Sequence, residues 1–117
     1  MIKVGDEAAG FCVAPDVGDQ VLRVVGHGFW NAEVALMFEP RVQGALQAYP
    51  RVTRVVFDFR LLKPLRDEGQ QGFSQVLSAL KMATPLQVSV LTSSPLTKLQ
   101  LLRIVKETGC DGWVEFN

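Results

Sequence analysis

Apolar positions along the chain follow two rhythms. GFCVA at 10 to 14 and QVLRVVGH at 20 to 27 are rich in strand formers and flank PDVGD, a turn-like stretch with two acids and a glycine, so they predict a hairpin. From Asn31, a plausible N-cap, Val34, Phe38, Val42, Leu46 and Tyr49 recur at helical spacing. Pro40 interrupts them, and a mid-helix proline costs about 3 kcal/mol. The expectation is a short turn over 32 to 37 and a main helix over 39 to 48.

RVVFDF at 54 to 59 is a nearly continuous run of strand formers, the pattern of a strand buried on both faces. Phe73, Val76, Leu77 and Leu80 form one helical stripe, with Gln70, Gln71, Gln75 and Ser78 around the other side. LQVSVL at 86 to 91 predicts the next strand and ends in Thr92-Ser93-Ser94. Ser94 caps a helix that starts at Pro95, lines one face with Leu99, Leu102 and Val105, and stops at Gly109. WVEF at 113 to 116 supplies a last strand.

The predicted order is β-β-α-β-α-β-α-β, an α/β single domain over 1 to 117 with a mixed sheet of about five strands and helices packed on it. Residues 1 to 9 are expected to fray. Right-handed crossovers bring the loops after the second, third and fourth predicted strands to one edge. Phe29-Trp30-Asn31, Leu65-Arg66-Asp67-Glu68 and Thr92-Ser93-Ser94 become neighbours there, and any site is expected among them.

Composition narrows the function classes. The 117 residues suit one core, and 12 Lys plus Arg balance 12 Asp plus Glu, which argues against a general nucleic-acid binder. MIKVGDEAAG has no signal-peptide core, and no apolar run approaches the roughly 20 residues of a membrane span. A cytoplasmic chain is expected. With Cys12, Cys110 and His27 as the whole cysteine and histidine complement, neither a zinc site nor a cysteine hydrolase is expected. GHG at 26 to 28 and GQQG at 69 to 72 lack phosphate-loop spacing. No catalytic residue and no cofactor is assigned.

The junction DFRLLKPLRDEGQQGF at 58 to 73 is the most telling stretch. It places acid where a helix N-terminus already offers free N–H groups and positive dipole. The bland account is that Asp67 and Glu68 are ordinary first-turn acids stabilising a helix start.

From about residue 20 to 116 the chain resembles the STAS family, the domain of anti-sigma factor antagonists and of the cytoplasmic tails of sulfate transporters. The resemblance lies in a strand ending in glycine, a helix, a strand ending in Asp58, a short loop, an acidic turn ending in Gly69, and a closing helix ending in Glu107-Thr108-Gly109. Regulatory members carry Asp-Ser-Ser-Gly or close to it at the turn, with the first serine phosphorylated by a partner kinase. Aligned on Gly69, Asp67 takes the phosphoacceptor position. Shifted by one, Glu68 does, and either way the hydroxyl is missing.

The resemblance implies a non-catalytic module that binds an anti-sigma factor or related regulatory kinase and is not switched by phosphorylation at this turn. The implied surface is Arg66, Asp67, Glu68, Gly69, Gln70 and Gln71, flanked by Trp30 and Ser93; Phe29 and Trp30 are expected to be partly buried on the first helix, with Trp30 an anchor if exposed. Arg60, Lys63 and Arg66 read as a salt-bridged edge beside it. The alternative is a STAS domain sensing a small ligand or nucleotide in a pocket between Trp30, Asp67 and Ser93, which the acids disfavour for phosphate-bearing molecules. A receiver domain fits the strand-end Asp58 but lacks the acid pair and late lysine of that family.

Overall fold

The computed structural model describes residues 1 to 117 except Val17, Asp19, Thr84 and Pro85. The turn expected at 15 to 19 therefore lies partly outside the described residues. The elements are β1 (Ile2–Gly5), β2 (Gly10–Asp16), β3 (Val21–Gly28), α1 (Ala32–Ala48), β4 (Arg54–Leu62), α2 (Asp67–Met82), β5 (Gln87–Thr92), α3 (Pro95–Glu107) and β6 (Val114–Phe116). The six strands lie in the sheet in chain order. β1, β2 and β3 pair antiparallel, and β3 to β6 pair parallel.

The sheet thus has six strands where about five were expected, because Ile2–Gly5 form a strand. Ile2 to Gly5 pair with Val13 to Gly10, and Ile2 and Val4 pack against the core. A short stretch with only two apolar side chains facing inward leaves little periodic signal. Its order comes from the neighbouring strand.

Cross-strand partners share a face of the sheet. Val13, Val24, Phe57 and Val90 are in register and belong to one core with Phe38, Phe73, Leu77, Leu101 and Ile104 of the three helices. All helices therefore cover one face. β4 is buried on both sides only in part: Val55, Phe57 and Phe59 face the core and Val56 is buried on the other face, whereas Arg54 and Arg60 are exposed and Asp58 is only half-buried.

Asn31 caps α1, its Oδ1 accepting from the Val34 N–H at 2.9 Å. The expected break at Pro40 is absent, and α1 runs unbroken for 17 residues. Pro40 and Leu36 are both exposed, so the Leu36 carbonyl left without an N–H partner lies on the solvent side. Val34, Ala35, Phe38, Val42 and Ala45 hold the opposite side in the core. Tertiary burial outweighs the local penalty.

Ser94 caps α3 and Gly109 ends it as expected, with φ of 71° at Gly109. The Cys110 N–H reaches the Val105 carbonyl at 2.8 Å and the Gly109 N–H reaches Lys106 at 3.1 Å, a Schellman closure. Of the expected stripe only Val105 is buried. Leu99 is 63% exposed and Leu102 is also exposed, while Thr97, Leu101 and Ile104 turn inward with Val105. A helix with apolar residues on two stripes does not declare which is the core.

Candidate functional site

The loop between β4 and α2 is fixed from three directions. The Lys63 N–H donates to the Gly28 carbonyl at 3.0 Å, joining it to the end of β3. Thr97 Oγ1 on α3 donates to the Leu62 carbonyl at 3.1 Å. The Gln100 amide grips Leu65 on both sides, accepting from its N–H at 2.7 Å and donating to its carbonyl at 3.0 Å. A buried backbone loop requires such partners, and side chains of α3 provide them.

α2 begins immediately beyond this brace. Arg66 occupies the N-cap position with extended backbone and no side-chain cap, as an arginine has no acceptor to offer. Asp67 and Glu68 are exposed in the first turn, and neither carboxylate accepts a hydrogen bond among the described residues. Their stabilising effect is therefore charge beside the helix N-terminus, about 0.3 to 1 kcal/mol each.

Gly69 is buried, and a Cβ there would come within 2.8 Å of Leu65 Cδ2. Glycine lets the first turn sit down on Leu65. Gln70 turns back as well, donating to the Leu65 carbonyl at 3.0 Å and accepting from Arg103, which also pairs with Glu107 at 3.5 Å. Gln70 thus shapes the junction, whereas Arg66, Asp67, Glu68 and Gln71 are open to solvent.

A scan of family models gives no match, and a search of curated proteins gives none either. Solved structures do match. An anti-sigma factor antagonist from Mycobacterium paratuberculosis superposes with a TM-score of 0.67 at 17% identity, over 96% of this chain and 87% of that one. The Bacillus cell fate determinant SpoIIAA in its phosphorylated form gives 0.66 at 14% identity, over 92% and 91%.

The chain has a STAS-like fold.

Within that fold, the end of β3, the β4–α2 loop and α3 meet at one edge, as the contacts among Gly28, Lys63, Leu65 and Gln100 show. Ser93 is exposed. Trp30 is buried, more fully than the partial burial expected of a residue packed on the first helix: it is 3% exposed, packs on Phe11, Phe38 and Phe59, and donates its indole N–H to the Gly10 carbonyl at 2.9 Å. An apolar core with a carbonyl at its rim satisfies both ends of an indole. Trp30 is thus no interface anchor, and its neighbour Phe29, 60% exposed, is the aromatic that faces solvent.

Asp58 is satisfied locally. It accepts from Arg60 Nε at 2.9 Å, Nη2 at 2.7 Å and the Arg60 N–H at 3.3 Å. The guanidinium hydrogen bonds, partly opposed by burial, hold its carboxyl below the ordinary value of 3.8.

Thr97, Gln100 and Arg103 of this STAS-like domain escaped sequence reasoning. Gln100 is the one polar residue in Leu99-Gln100-Leu101-Leu102, which is a local signal. Its partner lies 35 positions away, which only the fold reveals.

Proposed function

We propose that this chain is a non-catalytic, cytoplasmic signalling module of bacterial type that binds an anti-sigma factor or related regulatory kinase through the start of α2. Asp67 stands at the phosphoacceptor position, and serine phosphorylation does not switch the module there. The supporting observation is that exposed Asp67 and Glu68 project from a rigidly braced helix start that carries no hydroxyl between Arg66 and Gly69. A braced, charged turn presents its contacts with little ordering cost on binding. The STAS-like fold shared with an anti-sigma factor antagonist favours a protein as the occupant.

The contact surface comprises Arg66, Asp67, Glu68 and Gln71, with Ser93 and Phe29 at its margin. Gly69 and Gln70 position it. A carboxylate reproduces phosphoserine only in part, since the phosphate carries about −1.5 to −2 charges and three acceptor oxygens. The module is therefore fixed in one charge state.

The test is affinity capture from native-cell extract with wild type and the Asp67→Arg, Glu68→Arg double variant side by side. Wild type retains a regulatory partner that the double variant loses, while both melt alike. Equal retention overturns the assignment. With the captured kinase and ATP, Asp67→Ser gains a phosphate that wild type does not. A partner that binds but leaves Asp67→Ser unmodified removes Asp67 from the phosphoacceptor role.

A further inference from the structure

The helix-free face of the sheet carries a feature that partner binding at α2 does not use. Register places Val21 beside Arg54 and Gln87, and Arg23 beside Val56 and Ser89. Arg23 and Arg54 therefore stand one row apart on adjacent strands, both on the bare face. An open depression of about 510 Å³ lies between them, with Val21, Val56 and Leu91 as its apolar lining and Thr53, Gln87, Ser89 and Asn117 as further polar lining. That volume is in the range of small-molecule sites.

The two arginines are differently held. Arg54 Nη2 donates to Ser89 Oγ at 3.1 Å, and Ser89 is only 3% exposed, so this guanidinium is anchored by one donor while its other donors remain. Arg23 makes no ion pair among the described residues, nor does Arg54. Asp58, the acid in the neighbouring row, accepts from Arg60 Nε and Nη2, and the charge of Arg23 also helps to hold its carboxyl below the ordinary value, but no ion pair joins Arg23 to it among the described residues. The other acids near in register, Asp16 opposite Val21 and Glu115 opposite Ser89, are exposed and pair with neither arginine.

We infer that this face holds a binding site for a small phosphomonoester, with the phosphate between Arg23 and Arg54 and an apolar body against Leu91. Guanidinium forks match phosphate oxygens in geometry and charge. The buried Ser89 hydroxyl sets the position of one fork before any ligand arrives. Val56 is only 7% exposed on this face and Leu91 is half-buried, so Leu91 offers the apolar surface that a ligand body covers. The site is independent of the partner surface on α2.

The experiment titrates the full chain, followed by backbone amide shifts, with inorganic phosphate and with phenyl phosphate. Both saturate, with shifts centred on Arg23, Arg54, Ser89 and Leu91, and phenyl phosphate binds about fivefold more tightly because its ring covers apolar surface. Arg54→Gln and Arg23→Gln each weaken both ligands about tenfold. Leu91→Ala weakens phenyl phosphate alone. The Arg23 side chain makes no hydrogen bond among the described residues, so Arg23→Gln reports on the site even where Arg54→Gln disturbs Ser89. Lys98→Gln on α3 and the Asp67→Arg, Glu68→Arg variant leave the response in place. Non-saturating shifts, shifts centred on α2, or equal weakening by Lys98→Gln overturn the site and show the arginines to be solvating charges.

Discussion

Asp58 and Asp67 bracket the β4–α2 junction, and their surroundings give them different work. Asp58 has its lone pairs filled by Arg60, and its carboxyl is held below 3.8, chiefly by that hydrogen bonding. A depressed folded-state value means that the ionised pair stabilises the fold above the unfolded value and that this contribution fades as pH falls through the folded one. Asp58→Asn accordingly melts slightly below wild type at neutral pH, and the two melting curves converge in acid below 3.8. A gap that persists there assigns the effect to packing instead. The pair is solvent-screened, so the shift in melting temperature is small. Asp67 has no such partner and contributes only its charge near the helix start, so Asp67→Ala changes stability by about 1 kcal/mol or less. Its consequence belongs to binding, which separates the carboxylate that shapes the loop from the one available to a partner.

Helices show how far a sequence speaks for its elements. The stripe of Phe73, Val76, Leu77 and Leu80 on α2 was legible because its other side is polar, and all four are buried. α3 misled because Leu96, Leu99 and Leu102 form a second apolar set beside Leu101, Ile104 and Val105. The corrected face has a measurable consequence: Leu101→Ala costs about 2 to 5 kcal/mol in chemical denaturation, whereas Leu99→Ala stays within about 0.5 kcal/mol of wild type. Reversed magnitudes restore the original assignment. α1 misled through Pro40, whose local penalty was legible and whose compensation was not, since that depends on Phe38 and Val42 meeting the sheet. Pro40→Ala restores the missing backbone bond and stabilises the protein by about 1 to 3 kcal/mol, less the entropy regained by the unfolded chain. No gain in denaturant midpoint indicates that α1 has already relaxed around the ring.

At the scale of the molecule, crossover handedness was enough to anticipate that the loops after β3, β4 and β5 share an edge. The side chains that weld them were hidden, because Thr97 and Gln100 each act on backbone 35 residues away. The other edge of the sheet was misjudged for a related reason: Ile2 to Gly5 gain their order from β2 and carry little signal of their own. As the terminal strand of the sheet, β1 covers one side of the seven-residue β2 with only four residues of its own. Short edge strands are poor templates for further pairing, and long ones are good templates. Removing residues 1 to 5 therefore has two effects, loss of the Ile2 and Val4 packing and exposure of β2 as a new edge. Val4→Asp separates them, since it removes one half-buried apolar side chain and keeps the strand. Both variants melt below wild type, but only the truncated chain self-associates as concentration rises, measured by sedimentation. A truncated chain that melts like wild type and stays monomeric would show that β1 frays in solution after all. A Val4→Asp chain that also associates would place the protection in side-chain packing rather than in the covered edge of β2.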